Sequence, residues 1–322
     1  MMHIRKLVFI FALAWLMPAI TVAASYPDRT IRIVVPFGPG SATDTLARVL
    51  AQGLSEDLNQ SVIVENRPGA AGAIAAREVA SAKPDGYTLI LGSNGPFAAN
   101  PSLYKNLSYS PIDDFEPIWL AGHVPQLLLT AGDAKNISTV QDIVSYAKSN
   151  SSKVNFGATN TTSQIWAELL KKAKGIDVPV ILFKETGQML TDVMTGRANF
   201  AFGSVAPARP LMDAGKIKAV AITGDKRMEA LPDVPTLKES GFDEYNLDVW
   251  MALFAPKGTP AEIVMTLNEK LNHLLTTEKV KQIANQIGMQ AAGGTPEALG
   301  AVVKHDVANW QKLVDLTGVT VN

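Results

Sequence analysis

Cysteine is absent from this 322-residue chain, and histidine occurs only four times. The first absence excludes disulfides, thiolate metal sites, a cysteine nucleophile and a lipid-modified N-terminal cysteine. The histidines offer little in their place. His3 belongs to an N-terminal leader, and His123, His273 and His305 stand too far apart for metal-ligand spacing. Each reads as a surface or helix-face residue, and no metal or cofactor is expected. Also missing is any excess of one charge: 29 basic residues face 30 acidic ones. Removing Arg5 and Lys6 with a leader leaves 27 against 30, a net charge of −3. Nucleic-acid binding draws on clustered Lys and Arg, and the longest such cluster, Lys171 to Lys174, reads as the exposed end of a helix. No repeat of 20 to 50 residues and no low-complexity tract is found.

Long apolar runs are scarce too. Leu7 to Leu16 is unbroken but holds ten residues, against about 20 needed to span a bilayer. With His3, Arg5 and Lys6 before it and Val22-Ala23-Ala24 after it, the segment 1–24 has the pattern of an export signal, cleaved near Ala24. The mature chain is expected to be soluble and periplasmic. Without disulfides it needs a real core, and 47% hydrophobic content can supply one or two.

What is present is a β-α alternation. Ile31 to Val35 is β-branched and breaks into Pro36-Phe37-Gly38-Pro39-Gly40; Leu46, Val49, Leu50, Leu54 and Leu58 then recur on one helical face. A strand at 61–65, a turn at 66–69, an Ala-rich helix at 70–82 and a strand at 87–91 follow. A second series starts at Leu127 to Thr130. It continues with a helix at 140–148, strand 154–156, loop 157–162, helix 163–174, strand 178–183, helix 187–195, and strands 199–202 and 219–222. Such alternation implies two α/β modules with parallel sheets flanked by helices. The C-terminal third is mostly helical, with apolar faces at Ile263/Leu267/Leu271/Leu274, Val280/Ile283/Ile287 and Leu299/Val302/Trp310/Leu313.

The loops after the strands carry the chemistry. Ser41 to Asp44 has capping spacing, a hydroxyl followed three residues later by a carboxylate. The unpaired amides and positive dipole of such a helix start attract carboxylate or phosphate. An ordinary capped turn has the same spacing. So, in part, has a dinucleotide fingerprint, but its third glycine is Thr43 here. Ser93-Asn94, Thr159 to Gln164 and Gly203-Ser204 are comparable loops, and Thr161 with Gln164 stands at capping-box spacing. In open sheets ligands bind outside the carboxyl ends of strands. Two helix starts facing across a cleft would hold a dianion without Lys or Arg. No Gly-x-Ser-x-Gly register occurs, although an exported hydrolase using Ser41, Ser93 or Ser204 stays open as an alternative.

Seven ordered motifs carry a family resemblance: Tyr26 to Arg29, Val35 to Gly40 with Thr43-Asp44, Val64 to Gly69, Pro84 to Tyr87, Leu231 to Thr236, Ala255 to Pro260 and Gly293 to Glu297. The chain resembles the Bug-type periplasmic receptors of tripartite tricarboxylate transporters over essentially its whole mature length. That resemblance implies a type II periplasmic binding protein fold with two mainly parallel α/β domains, a hinge and a ligand cleft. The first domain would take 25–125 and 246–322, the second 126–245. It further implies a monomeric, non-enzymatic receptor that hands a small carboxylate to membrane permease subunits, with a sensory role as the alternative. The implied ligand-binding residues are Phe37, Gly40, Ser41, Ala42, Thr43 and Asp44, then Ser93 and Asn94, Thr159, Asn160, Thr161, Thr162, Ser163 and Gln164, and Gly203 with Ser204.

Departures from that pattern point to selectivity. Ser41-Ala42 stands where Gly-Gly is usual, and Ile181 to Glu185 replaces Val-Pro-Tyr-Lys-Gly. The loop 157–162 is about two residues short, with Asn160 and Gln164 in place of glycine and histidine. Amino-acid-binding relatives carry an Asp after the Phe of the late second-domain strand, whereas Phe202 is followed here by Gly203-Ser204. A ligand without an ammonium group, a dicarboxylate or an aromatic acid, is expected.

Overall fold

The computed structural model describes residues 26–242 and 249–319. The export segment, its cleavage point at Ala24 and the domain boundary expected at 245/246 lie outside the described residues. Among the described residues, no helix is long and apolar enough to cross a membrane.

The first sheet grows from β1 (Ile31–Val35), which runs through the Gly/Pro turn into α1 (Ala42–Leu58). β2 (Val62–Asn66), α2 (Ala73–Ala80) and β3 (Thr88–Ser93) follow, and both β2 and β3 pair parallel to β1. A five-residue π turn at Gly95–Ala99 then leads into α3 (Asn100–Leu103). β4 (Phe115–Val124) is separated from β5 (Gln126–Ala131) by Pro125 alone, so the chain passes directly from one sheet to the other. The second sheet adds α4 (Val140–Ser149), β6 (Phe156–Ala158), α5 (Thr161–Lys174), β7 (Val180–Leu182), α6 (Thr186–Met194), β8 (Phe200–Ser204), α7 (Val205–Asp213) and β9 (Ile217–Ile222). β10 (Val249–Pro256) returns to the first sheet, followed by α8 (Ala261–Leu275), α9 (Glu278–Ile287), β11 (Gln290–Ala291) and α10 (Pro296–Thr317).

The strand orders are β11-β4-β10-β3-β1-β2 and β7-β6-β8-β5-β9. Two α/β sheets flanked by helices are therefore present, as the alternation implied. They are mixed rather than mainly parallel. β10 is antiparallel to β3 and β4, and β5 is antiparallel to β8 and β9. These are the strands by which the chain enters and leaves each sheet, and their direction is set by the crossing rather than by a helical crossover. β4 and β10 escaped the sequence pattern because they are apolar on both faces, buried almost throughout, and lack period-two alternation.

The helix expected over 70–82 also starts late. Ala70 and Ala71 adopt φ of 46° and 49°, and the α-helix begins only at Ala73. A Cβ on Gly72 would lie 3.1 Å from Pro36 and 3.2 Å from Pro96, and the Ala71 carbonyl accepts from Asn100 Nδ2 at 3.2 Å. Tertiary packing overrides alanine's helix preference here.

Alternate strand residues divide the interior. Ile31, Ile33 and Val35 pack with α1, α8 and α9 on one face of the first sheet, while Val34 and Ile90 pack with α2, α3 and α10 on the other. In the second sheet α4 and α5 cover one face, and α6 and α7 the other. The end of α10 reaches the second sheet's layer, where Lys172 Nζ donates to the Leu316 carbonyl. Lys171, Lys172 and Lys174 occupy the last turn of α5, as their spacing implied.

Candidate functional site

Neighbouring strands send their connections to opposite faces at two places. β1 feeds α1 on one face, whereas its neighbour β3 feeds the π turn and α3 on the other. β6 feeds α5 on one face, whereas β7 and β8 on either side feed α6 and α7 on the other. Diverging helices leave a crevice just beyond the carboxyl ends of such strands. A cavity of about 640 Å³ lies there, lined from both sheets.

On the first-sheet side, Ser41 caps α1 in extended backbone conformation, its Oγ accepting from the Asp44 amide at 3.2 Å. Asp44 reaches back to accept from the Gly40 amide at 2.9 Å. Asn66 Nδ2 ties the turn together, donating to Asp44 Oδ1 at 2.8 Å and to the Phe37 carbonyl at 3.0 Å. Arg48 completes the cage, with Nε donating to Asp44 Oδ2 at 3.1 Å and an ion pair to Oδ1 at 2.9 Å. Asp44 is only 3% exposed. Burial alone would raise its carboxyl, but hydrogen bonds from Arg48, Gly40 and Asn66 outweigh that and hold it below the ordinary carboxylate range. The amides of Ala42 and Thr43 are left without an intrahelical partner. Thr43 and Ser93 line the cavity with hydroxyls that have no protein partner among the described residues.

On the opposite side the cap is Asn160 rather than Thr161. Its Oδ1 accepts from the Ser163 amide at 2.9 Å, and Ser163 Oγ accepts from the Thr159 and Asn160 amides at 3.1 Å each. The capping box expected between Thr161 and Gln164 is thus shifted by one residue. The buried hydroxyl of Ser163 closes it, while Gln164 sits inside the helix and its amide donates to the Asn160 carbonyl at 3.0 Å. The amides of Thr161 and Thr162 are left over, as those of Ala42 and Thr43 are at α1.

The structure brings Phe37, Gly40, Ser41, Ala42, Thr43, Ser93, Asn94, Asn160, Thr161, Thr162 and Ser204 to one cavity. Asp44, Thr159, Ser163, Gln164 and Gly203 are not among its lining. Asp44 and Ser163 point back into the caps. Gly203 faces the core under β8, where an added Cβ would lie 3.1 Å from Met189 Cε. Sequence reasoning missed Thr186, which heads α6 by the same strand-end rule that flagged Thr159. It also missed Gln126, which becomes visible only once β5 is seen to run against β8, placing it opposite Ser204. Asn100, Gln286 and the apolar Leu103, Val249, Met251 and Ile287 line the cavity as well.

No described lining residue carries a charge. The first turns of α1, α5, α6 and α7 all contribute to its wall, and helix starts carry partial positive charge. The serines there have no acid or base among the described lining residues to activate them. Among the described residues no group of three or more His, Cys, Asp or Glu could hold a metal ion.

Comparison with known proteins shows the family. Residues 46–319 match the family described as the tripartite tricarboxylate transporter family receptor. A curated relative from Agrobacterium vitis, a UPF0065 protein in the TAR-I ttuE-ttuC' intergenic region, is 36% identical over 299 residues, covering 91% of this chain and 86% of its own. The R. palustris protein Rpa4515, solved with adipate, superposes with a TM-score of 0.80 at 34% identity, covering 92% of this chain and 99% of that one. MatC from Rhodopseudomonas palustris, with bound malate, gives 0.76 at 32% identity, with coverage of 90% and 100%. The chain belongs to the tripartite tricarboxylate transporter receptor family, whose members are periplasmic solute-binding proteins.

Proposed function

We propose that this family member captures a small carboxylate without an ammonium group and delivers it to the membrane permease of a tripartite tricarboxylate-type transporter. The observation that carries this reading is the uncharged cavity ringed by helix N-termini. Four free amides, of Ala42 and Thr43 on one side and Thr161 and Thr162 on the other, would grip one carboxylate, aided by the hydroxyls of Thr43 and Ser93. A dicarboxylate or an aromatic acid suits the apolar wall of Leu103, Val249, Met251 and Ile287. An ammonium group would find no carboxylate among the described lining residues.

In this reading the chain is exported with cleavage after Ala24, acts as a monomer, and divides into domains at 25–125 plus 246–322 and at 126–245. The hinge then includes Pro125, which alone separates β4 from β5. Closure completes the grip, because the two pairs of amides belong to different domains. A thermal-shift screen of small acids tests this. A ligand at 100 times its dissociation constant adds about 2.7 kcal/mol. The methyl ester of a binding acid should lose that shift, and an equal shift from the ester would sink the anion site. Titration with aspartate and glutamate tests the second part, since tighter binding of either than of every plain carboxylate would contradict it.

A further inference from the structure

Helices α5, α9 and α10 end alike, on Gly175, Gly288 and Gly318, with left-handed φ of 61°, 73° and 70°. The cap accounts for a glycine at each. Their surroundings differ. A Cβ on Gly175 or Gly318 would meet nothing within 4 Å, whereas one on Gly288 would lie 2.7 Å from Val205 Cβ and 3.1 Å from its Cγ2. Gly288 is buried and Gly318 exposed. The close approach is therefore no property of the cap; it marks where the end of α9 meets the start of α7.

That meeting point sits at the cavity wall. Gln286 and Ile287, just before Gly288, line the cavity, and so do Ser204 and Ala206 on either side of Val205. Val205 is 4% exposed and belongs to the second sheet's interior with Met189, Leu190 and Ala208, so its side chain has little room to yield. A second tie lies two residues further on, where Gln290 Nε2 donates to the Arg227 carbonyl at 3.4 Å. In the proposed division Gly288 and Gln290 fall in the first domain, and Val205 and Arg227 in the second.

We infer that Gly288 is a positioning residue for ligand capture: with no side chain of its own it lets Val205 seat against the end of α9, latching the two domains over the cavity. The inference rests on the receptor reading above and names the contact that holds its closed state. Seating Val205 brings Gln286 and Ile287 up to Ser204 and Ala206 and completes that stretch of wall. Neither Gly288 nor Val205 is among the lining residues. The latch therefore sets affinity through the population of closed, binding-competent protein, without touching the ligand.

The test is isothermal titration with whichever of succinate, glutarate and benzoate the unmodified protein binds most tightly. Gly288→Ala and Gly318→Ala impose the same backbone strain at a helix end, but only the first puts an atom into the seam between the domains. Gly288→Ala should weaken binding about thirtyfold, the effect of overpacking a tight contact. Gly318→Ala should stay within about twofold of the unmodified protein. Val205→Gly empties the space that the new methyl would enter, so in that background Gly288→Ala should cost about twofold or less. Equal binding by Gly288→Ala and Gly318→Ala, or the same loss from Gly288→Ala in both backgrounds, overturns the latch and leaves the receptor reading standing. Failure of these three acids and of every other small acid screened overturns the receptor reading and the latch with it.

Discussion

The two helices that face each other across the cavity use one backbone device with different chemistry. In α1 the cap is a serine and the residue reaching back is the anionic Asp44; in α5 the cap is Asn160 and the residue reaching back is the neutral Ser163. Both leave two amides for a ligand. At α1, however, a fixed negative charge already answers the helix dipole, and Arg48 and Asn66 are needed to hold it. The first turn of α5 holds no acidic residue to answer it. In the proposed reading the first jaw supplies rigidity, and the second more of the attraction for an incoming anion.

That contrast can be broken by mutation. Asp44→Ala takes the acceptor from the Gly40 amide, one of two acceptors from Asn66 Nδ2 and the ion-pair partner from Arg48, and should cost about 3 kcal/mol of unfolding free energy. Ser163→Ala removes only neutral bonds and should cost about 1.5 kcal/mol. Chemical denaturation of the ligand-free protein measures both, and equal losses would remove the distinction between the jaws.

A smaller effect is expected on binding. Asn160→Asp keeps the cap but adds an unanswered charge beside the Thr161 and Thr162 amides, and carboxylate affinity should fall by about thirtyfold, the full worth of a partly buried helix dipole. Ser41→Asp adds its charge where Asp44 and Arg48 already set the potential, so a loss of about fivefold is expected. Titration calorimetry that ranks these two the other way would reverse the assignment of roles.

The smallest effect is on pH dependence. The Asp44 carboxyl lies below its unfolded value when the protein is folded. Its contribution is thus fully present above about pH 3.9 and is lost as pH falls through the lower, folded value. The denaturation midpoint should lose part of its acid slope in Asp44→Asn. Ser163→Ala should leave that slope unchanged, because the α5 cap has no titrating group.

Much of this was legible in the sequence where local rules decide. Ser41 and Asp44 stand at capping spacing, and Leu46, Leu50 and Leu54 mark the buried face of α1 before any coordinates are known. The α5 cap was missed by one residue, because Asn160, Thr161 and Thr162 can all start a helix, and the choice fell to the residue whose partner three places on is buried. Asp44 reaches back into the cap as its spacing implies, but the ties that hold it, to Arg48 and to Asn66 22 residues away, include one that local spacing does not show. Gln126 and the strands β4 and β10 depend on long-range pairing. Their apolar runs fit a buried strand or a buried helix equally until the ladder forms.

The proposed grip holds one carboxylate from both jaws at once. A titration of ¹⁵N-labelled protein with the tightest-binding carboxylate reads it directly. The largest amide shifts are expected at Ala42, Thr43, Thr161 and Thr162, all saturating at one ligand concentration; shifts confined to one jaw, or saturating separately in the two, would contradict a shared grip.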